Sequence, residues 1–140
     1  MYTFVSEKLG EMEVDEDKII NFEDGILAFE SSKRFILLRS AKEDFYWLQS
    51  LDKADLALPC MNPYVVAPDY APDIPDEYLE KLGVKTEEDV SVFNIVRIPD
   101  NVRDATVNLA APVIINHNTK QGMQVVLDDP NYTVRHRIFL

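Results

Sequence analysis

Short apolar runs, each cut off by charged residues, glycine or proline, follow one another along most of this chain. Runs of that length, rich in β-branched and aromatic residues, read as strands. Residues 2–14 hold two of them, broken near Gly10, with Thr3, Val5, Met12 and Val14 among the β positions. Ile19-Ile20-Asn21-Phe22 follows and stops at Asp24-Gly25, a turn dipeptide. Phe35-Ile36-Leu37-Leu38 and Phe45-Tyr46-Trp47-Leu48 come next. Leu56-Ala57-Leu58 runs into Pro59, the first of five prolines up to Pro75. Proline removes a ladder donor, so this stretch is expected to be edge strand or extended loop and not central sheet. Residues 90–98, 106–109, 113–115 and 123–127 read as further strands, bounded by Pro99, Pro112 and Pro130. The polar, glycine-ended residues 118–122 suit a hairpin connection between the last two.

Helical periodicity appears once. Pro75-Asp76-Glu77-Tyr78-Leu79-Glu80-Lys81-Leu82-Gly83 places proline and acids in a first turn and glycine just past the end. Tyr78, Leu79 and Leu82 form its apolar stripe, which predicts a short helix over about residues 75–82. Thr86 is positioned to cap one further turn through Asp89. Many short strands and one short helix predict a mainly β, small single-domain fold, closed as a barrel or sandwich to remove exposed edges. The 90–98 strand carries apolar residues on both faces, with Val90, Val92 and Val96 on one and Phe93 and Ile95 on the other. Burial on both sides within the protein is the expected reason, with Asn94 then needing hydrogen-bond partners.

At 140 residues the chain has the length of one domain, residues 1–140. Charge changes the picture more. The formal net charge is −11, which argues against a nucleic-acid-binding face and against docking on an anionic membrane. The imbalance is segmental: residues 7–30 hold nine acids and two bases, and residues 69–89 hold eight and two. Acidic runs keep proteins soluble, and they also steer cationic partners; composition does not separate the two. The single cysteine, Cys60, excludes an intramolecular disulfide framework. The first eight residues do not read as a signal peptide, and no apolar run reaches membrane-spanning length. The expected compartment is the cytoplasm.

Catalytic chemistry finds little support. Cys60 sits in Leu58-Pro59-Cys60-Met61, an apolar setting that suits an inert core thiol. No G-x-S-x-G, P-loop or G-x-G-x-x-G is present, and His117 and His136 lack neighbours at metal-ligand spacing. Asp128-Asp129 before Pro130 reads first as turn chemistry. The expectation is a binding protein, not an enzyme, with no cofactor and no metal.

Thr106-Val107-Asn108-Leu109-Ala110-Ala111-Pro112-Val113-Ile114-Ile115-Asn116 closely matches a T-A-N-L-x-A-P-[IV]-[IV]-[IV]-N signature. Gln124-Val125-Val126-Leu127 and Tyr132-Thr133-Val134-Arg135-His136 extend the match. Phe45-Tyr46-Trp47-Leu48-Gln49-Ser50, Asn62-Pro63-Tyr64 and Pro68-Asp69-Tyr70 precede it in the expected order. On these strings the chain resembles the FliW family of flagellar assembly factors. Two positions depart from the family pattern. Gly25-Ile26-Leu27-Ala28-Phe29 stands for G-I-P-G-F, without its proline and second glycine, and Arg137 replaces a frequent proline.

The resemblance implies a compact β-barrel-like fold without enzymatic activity. It implies binding to the translational regulator CsrA, away from that protein's RNA-binding face, so as to antagonise repression of flagellin mRNA. Flagellin is the competing partner. Such a protein is expected to be monomeric when free. The acidic 69–89 segment suits a basic partner, so the expected contact combines charge from Asp69, Asp73, Asp76 and Glu77 with apolar anchors Tyr70, Phe93 and Ile95. Asn108 and Pro112, in the signature loop, form a second candidate contact. The rival readings are a flagellin chaperone with little or no CsrA role, and an acidic hydrolase using paired carboxylates.

Overall fold

A computed structural model describes residues 1–138. Its strands are β1 (Tyr2–Ser6), β2 (Gly10–Val14), β3 (Ile20–Phe22), β4 (Arg34–Arg39), β5 (Phe45–Ser50), β6 (Ala57–Met61), β7 (Val90–Arg97), β8 (Thr106–Val107), β9 (Val113–Asn116), β10 (Gln121–Gln124) and β11 (His136–Arg137). The helix α1 (Asp76–Lys81) lies between β6 and β7. Strands β3 to β7 pair in sequence, β7 pairs with β9, β9 with β10, and β10 returns to β3. The sheet therefore closes into a seven-stranded barrel. Every junction is antiparallel except the β10–β3 seam, where Gln121 lies opposite Asn21 and Gly122 opposite Phe22. Beyond its contact with β9, β7 continues against β8 at Val96 and Arg97, and β11 adds to β8.

Side-chain alternation divides the apolar residues into four bodies. Ile20, Phe22, Phe35, Leu48, Cys60, Val113 and Ile115 fill the barrel, with Leu37, Tyr46, Phe93 and Ile95 packed against them. On the outer surface, Ile36 and Leu38 of β4 meet the β1–β2 hairpin. Ile114 and Met123 meet Leu82 and Tyr78 of the helical segment. Met61, Val96 and Val107 lie under Tyr70, Leu109 and Ile138. Both faces of β7 thus find packing partners within the protein, with Asn94 and Val96 buried and the residues from Val90 to Phe93 left partly open. Asn94 is fully buried and its Nδ2 donates to the Asn108 carbonyl oxygen (2.8 Å) and to the Tyr70 hydroxyl (3.2 Å).

Two expectations need correction. In the Pro59-to-Pro75 stretch residues 62–75 hold no strand, as expected, but its first residues are not edge or loop: they end β6, a central strand between β5 and β7. Pro59 fits there because it stands opposite Trp47 while pairing with β7 starts only at Cys60. The final strand of the barrel begins two residues earlier than the pattern suggested, at Gln121, and ends at Gln124. Gly122 is accordingly not a turn residue. It lies in the strand opposite Ile115, where an added Cβ would meet Phe22 Cζ at 2.5 Å.

The helix forms as its pattern predicts, with Pro75 ahead of it and Gly83 at φ +72° behind Leu82. Asp89 caps the following turn, accepting from the backbone N–H groups of Thr86 (3.0 Å) and Lys85 (2.9 Å).

The segment that lacks Pro-Gly still makes its turn. Phe29 N–H donates to the Ile26 carbonyl oxygen at 2.7 Å, and Ala28 takes φ +74°. That is the left-handed position where a Pro-Gly pair would place glycine. Leu27 N–H donates to Gln124 Oε1 at 2.9 Å, a bond that proline at this position lacks the hydrogen to make. Ala28→Gly is expected to stabilise the protein by about 0.5 kcal/mol. Relief of about 1–2 kcal/mol of left-handed strain is offset by the greater freedom of the unfolded glycine chain. The check is a higher urea midpoint at an unchanged denaturant slope.

Candidate functional site

The proline-rich residues 62–75 form the wall of a groove against β7 and α1. Asn62 starts a 3-10 turn, Pro63–Val65, with its Oδ1 accepting from Tyr64 N–H at 3.0 Å. Tyr70 then turns inward. Its ring meets Tyr132 edge-on at 4.7 Å, and its hydroxyl donates to the Leu109 carbonyl oxygen at 2.7 Å. Tyr132 fixes the next residue, its hydroxyl accepting from Ala71 N–H at 3.0 Å. Two tyrosines thus pin the loop at both sides of its inward step.

The groove has a volume of about 780 Å³. Val90, Val92, Ile114, Ile74 and Leu79 supply apolar surface, and Tyr46, Tyr64 and Phe93 supply aromatic surface. Asp73 and Glu87 bring carboxylates to it, and Asn62 and Ser91 bring neutral polar groups. Tyr46 and Phe93 stack edge-to-face, with ring centres 5.0 Å apart. An apolar floor with acidic groups at its edge suits an apolar segment flanked by basic residues.

The predicted contact residues divide into three positions. Asp73 and Phe93 line the groove. Asp69, Asp76 and Glu77 are exposed on the pinned loop and in the first turn of α1. Tyr70 and Pro112 lie inside, and Ile95 points into the barrel. Tyr70, 4% exposed, offers no free anchor; it positions the loop that carries Asp69 and Asp73. Asn108 is half-buried, its Oδ1 accepting from Ala110 N–H and its carbonyl oxygen from Asn94. Tyr64, Glu87, Ile74 and Leu79 also line the groove, although none is among the contact residues expected from the sequence. Tyr64 stands in the Asn62-Pro63-Tyr64 string and Glu87 in the acidic segment, but only the fold sets them across from β7.

The two acidic segments meet at α1. Lys81 Nζ lies 3.4 Å from Asp24 Oδ2 and 3.6 Å from Glu23 Oε2. Those two carboxylates, Asp24 foremost, push the Lys81 ammonium above its usual range. The N–H groups of Thr86 and Lys85 hold the Asp89 carboxyl below its usual range, so it keeps its charge in mild acid.

Two groups considered for chemistry, Cys60 and Asp129, are otherwise engaged. Burial pushes the Cys60 thiol up to about 12, which leaves it an inert core residue. Asp129 Oδ1 accepts from Asn131 N–H at 2.9 Å, the turn role expected of Asp128-Asp129. Among the described residues, no three His, Cys, Asp or Glu side chains cluster as a metal site, and no helix is long and apolar enough to cross a membrane.

Comparison with known proteins bears on what such a barrel is. The family model described as FliW protein matches residues 3–138. A flagellar assembly factor FliW of Caldicellulosiruptor saccharolyticus is 48% identical over 134 residues, covering 96% of this chain and 88% of its own length. A protein of the same name from Thermotoga neapolitana is 45% identical over 134 residues, covering 94% and 89%. A crystal structure of the flagellar assembly factor FliW superposes with a TM-score of 0.92 at 34% identity, covering 99% of this chain and 98% of that one. A match across the whole barrel, the pinned loop and the signature strand means that the chain belongs to the FliW family.

Proposed function

We propose that this protein is a non-enzymatic flagellar assembly factor. In this reading it binds the translational regulator CsrA and antagonises repression of flagellin mRNA, with flagellin competing for it. Its place of work is the cytoplasm, and it acts there without a cofactor or metal. The observation that carries the reading is the acid-edged apolar groove on a member of a family named for flagellar assembly. An RNA-binding regulator is basic where it grips phosphates, so Asp69, Asp73, Asp76 and Glu77 would raise the rate of encounter. Phe93 and its aromatic neighbours would supply most of the affinity once water is expelled. Tyr70 would act by holding the loop that walls the groove, and Asn108 by holding Asn94, which bonds the Tyr70 hydroxyl.

Calorimetric titration with CsrA of the same organism tests this, with and without saturating RNA and at two salt concentrations. Binding that persists with RNA present and weakens with salt is the expected result. Phe93→Ala should weaken it about thirtyfold, the effect of a central aromatic anchor. Tyr64→Ala, at an exposed groove position outside the barrel, should weaken it about fivefold without a loss of stability. If neither substitution changes the affinity of a folded protein, the contact lies elsewhere. Absence of CsrA binding under every condition, with flagellin still bound, would leave the chaperone reading in its place.

A further inference from the structure

The barrel has a second opening with the opposite electrical character. Where β3 begins and β9 ends, a pit of about 220 Å³ is floored by Ile20, Leu37, Phe93 and Ile115. Its edge is formed by Lys18, His117 and Lys120, and no carboxylate lines it. On a chain with a net charge of −11, an apolar opening bordered only by cationic and imidazole side chains is a local inversion of the surface.

The edge is held in place by specific contacts. Lys120 Nζ donates to the His117 carbonyl oxygen, and the residue takes φ +56° in the turn between β9 and β10. His117 Nε2 lies 2.5 Å from Ser91 Oγ, which fixes the imidazole beside the opening. Lys18 Nζ has no hydrogen bond or ion pair among the described residues. Of the three acids just before it, Asp17 is exposed and forms no ion pair with it, Asp15 Oδ1 accepts from Asp17 N–H at 2.9 Å, and Glu16 lies 4.0 Å from the N-terminal ammonium. The Lys18 charge is therefore available to a ligand.

We infer that this pit binds an amphiphilic carboxylate, an unbranched or branched apolar body ending in one COO⁻ group. Four apolar side chains would take up the hydrocarbon, and Lys18 and Lys120 would pair with the carboxylate at the mouth. The volume equals that of about seven waters, enough for a short hydrocarbon body and too small for a folded element. Barrel mouths are a recurring place for such ligands. The charge pattern also sets this site apart from the groove, whose carboxylates would repel the same molecule. Phe93 borders both openings, so the test is placed on Lys18 and Lys120, which do not line the groove, and its outcome is read separately from the CsrA reading. Two sources share this chemistry: a free medium-chain carboxylic acid, and the C-terminal apolar residue of a polypeptide.

Methyl and amide NMR titration of the full-length protein with butanoate, hexanoate, octanoate and octanol tests the site. Saturable shifts are expected at Ile20, Leu37 and Ile115, tightening about fourfold per added methylene until the pit is full. Octanol should bind at least tenfold more weakly than octanoate, and a Lys18→Gln/Lys120→Gln double variant should abolish that preference. Lys18 is exposed and Lys120 half-buried in a turn, and Gln keeps a donor for the His117 carbonyl, so the variant is expected to fold. A short peptide ending in leucine, free or amidated at its C-terminus, separates the sources. A free-acid peptide that outcompetes octanoate points to a polypeptide end, and the reverse points to a free acid. The inference is overturned if no saturable shift appears at those methyls up to about 10 mM of any of these ligands. Equal affinity for octanol and octanoate would overturn it as well.

Discussion

Gly122→Ala is expected to cost this protein about 3 kcal/mol and to lower its melting temperature by roughly 10 °C. The reason is a close approach and not a special backbone angle. An added Cβ would lie 2.5, 2.7 and 2.9 Å from three carbons of the Phe22 ring. That ring is fully buried and meets Phe35 edge-on at 5.2 Å, so it has no free direction in which to retreat. The strain falls on the β10–β3 seam, the parallel junction that closes the barrel. Phe22→Leu should cost about 1 kcal/mol alone and yet recover much of the loss in the Gly122→Ala background, a non-additivity that marks direct contact. A Gly122→Ala protein melting within about 2 °C of the parent would show that the seam has room to open.

The second large effect is expected at Tyr70. Tyr70→Ala should cost about 4 kcal/mol, because it removes a ring packed against Tyr132 and opens a cavity under the loop. Tyr70→Phe should cost about 2 kcal/mol. It keeps the ring but leaves the Leu109 carbonyl oxygen without its donor and Asn94 Nδ2 with the Asn108 carbonyl alone. Chemical denaturation separates the two, and the difference measures packing against hydrogen bonding.

An alkaline titration adds a readout specific to the hydroxyl. Burial pushes the Tyr70 phenol from 10.0 up to about 12, and the Cys60 thiol from 9.0 up to about 12. Above about pH 9 the unfolded chain releases these protons while the folded chain keeps them. Stability therefore falls from about pH 9 to about pH 12, and a raised acid group contributes nothing below that window. Tyr70→Phe should flatten the fall above pH 10, whereas Cys60→Ala should flatten the part that begins near pH 9. Because Tyr70 pins residues 62–75, both tyrosine variants should also weaken partner binding more than their distance from the groove surface suggests.

Much of the fold was legible along the chain. Strands β1 to β5, β7 and β9, the helix over 76–81 and the turn at Asp24-Gly25 all fall where short apolar runs and their punctuation place them. These are local signals: a run of β-branched residues ends where charge, proline or glycine ends it, and no distant contact is needed to read that. The acidic segments were equally visible, since charge is counted and not folded. What misled was local chemistry overruled at a distance. Pro59 discouraged a central strand, but the neighbouring strand starts its pairing one residue later, so the missing donor is tolerated. Gly122 looked like a hairpin residue because glycine most often serves turns, whereas here it makes room for an aromatic ring.

The contact residues show the same division. Asp69, Asp73, Asp76 and Glu77 are exposed, as acids on a loop and a first helical turn should be. Tyr70 carried no sign that it would turn inward, because whether an aromatic residue on a proline-rich loop is anchor or core depends on Asn94 and Leu109, which lie 24 and 39 residues further on. Most of the strand and helix content, the segmental acidity and the family signature are readable in the chain because each is carried by neighbouring residues. The closure through the β10–β3 seam, the groove between the pinned loop and β7, and the cation-edged pit at the barrel mouth emerge only on folding. Those depend on side chains brought together from distant strands, and a surface of that kind exists only once the barrel has closed.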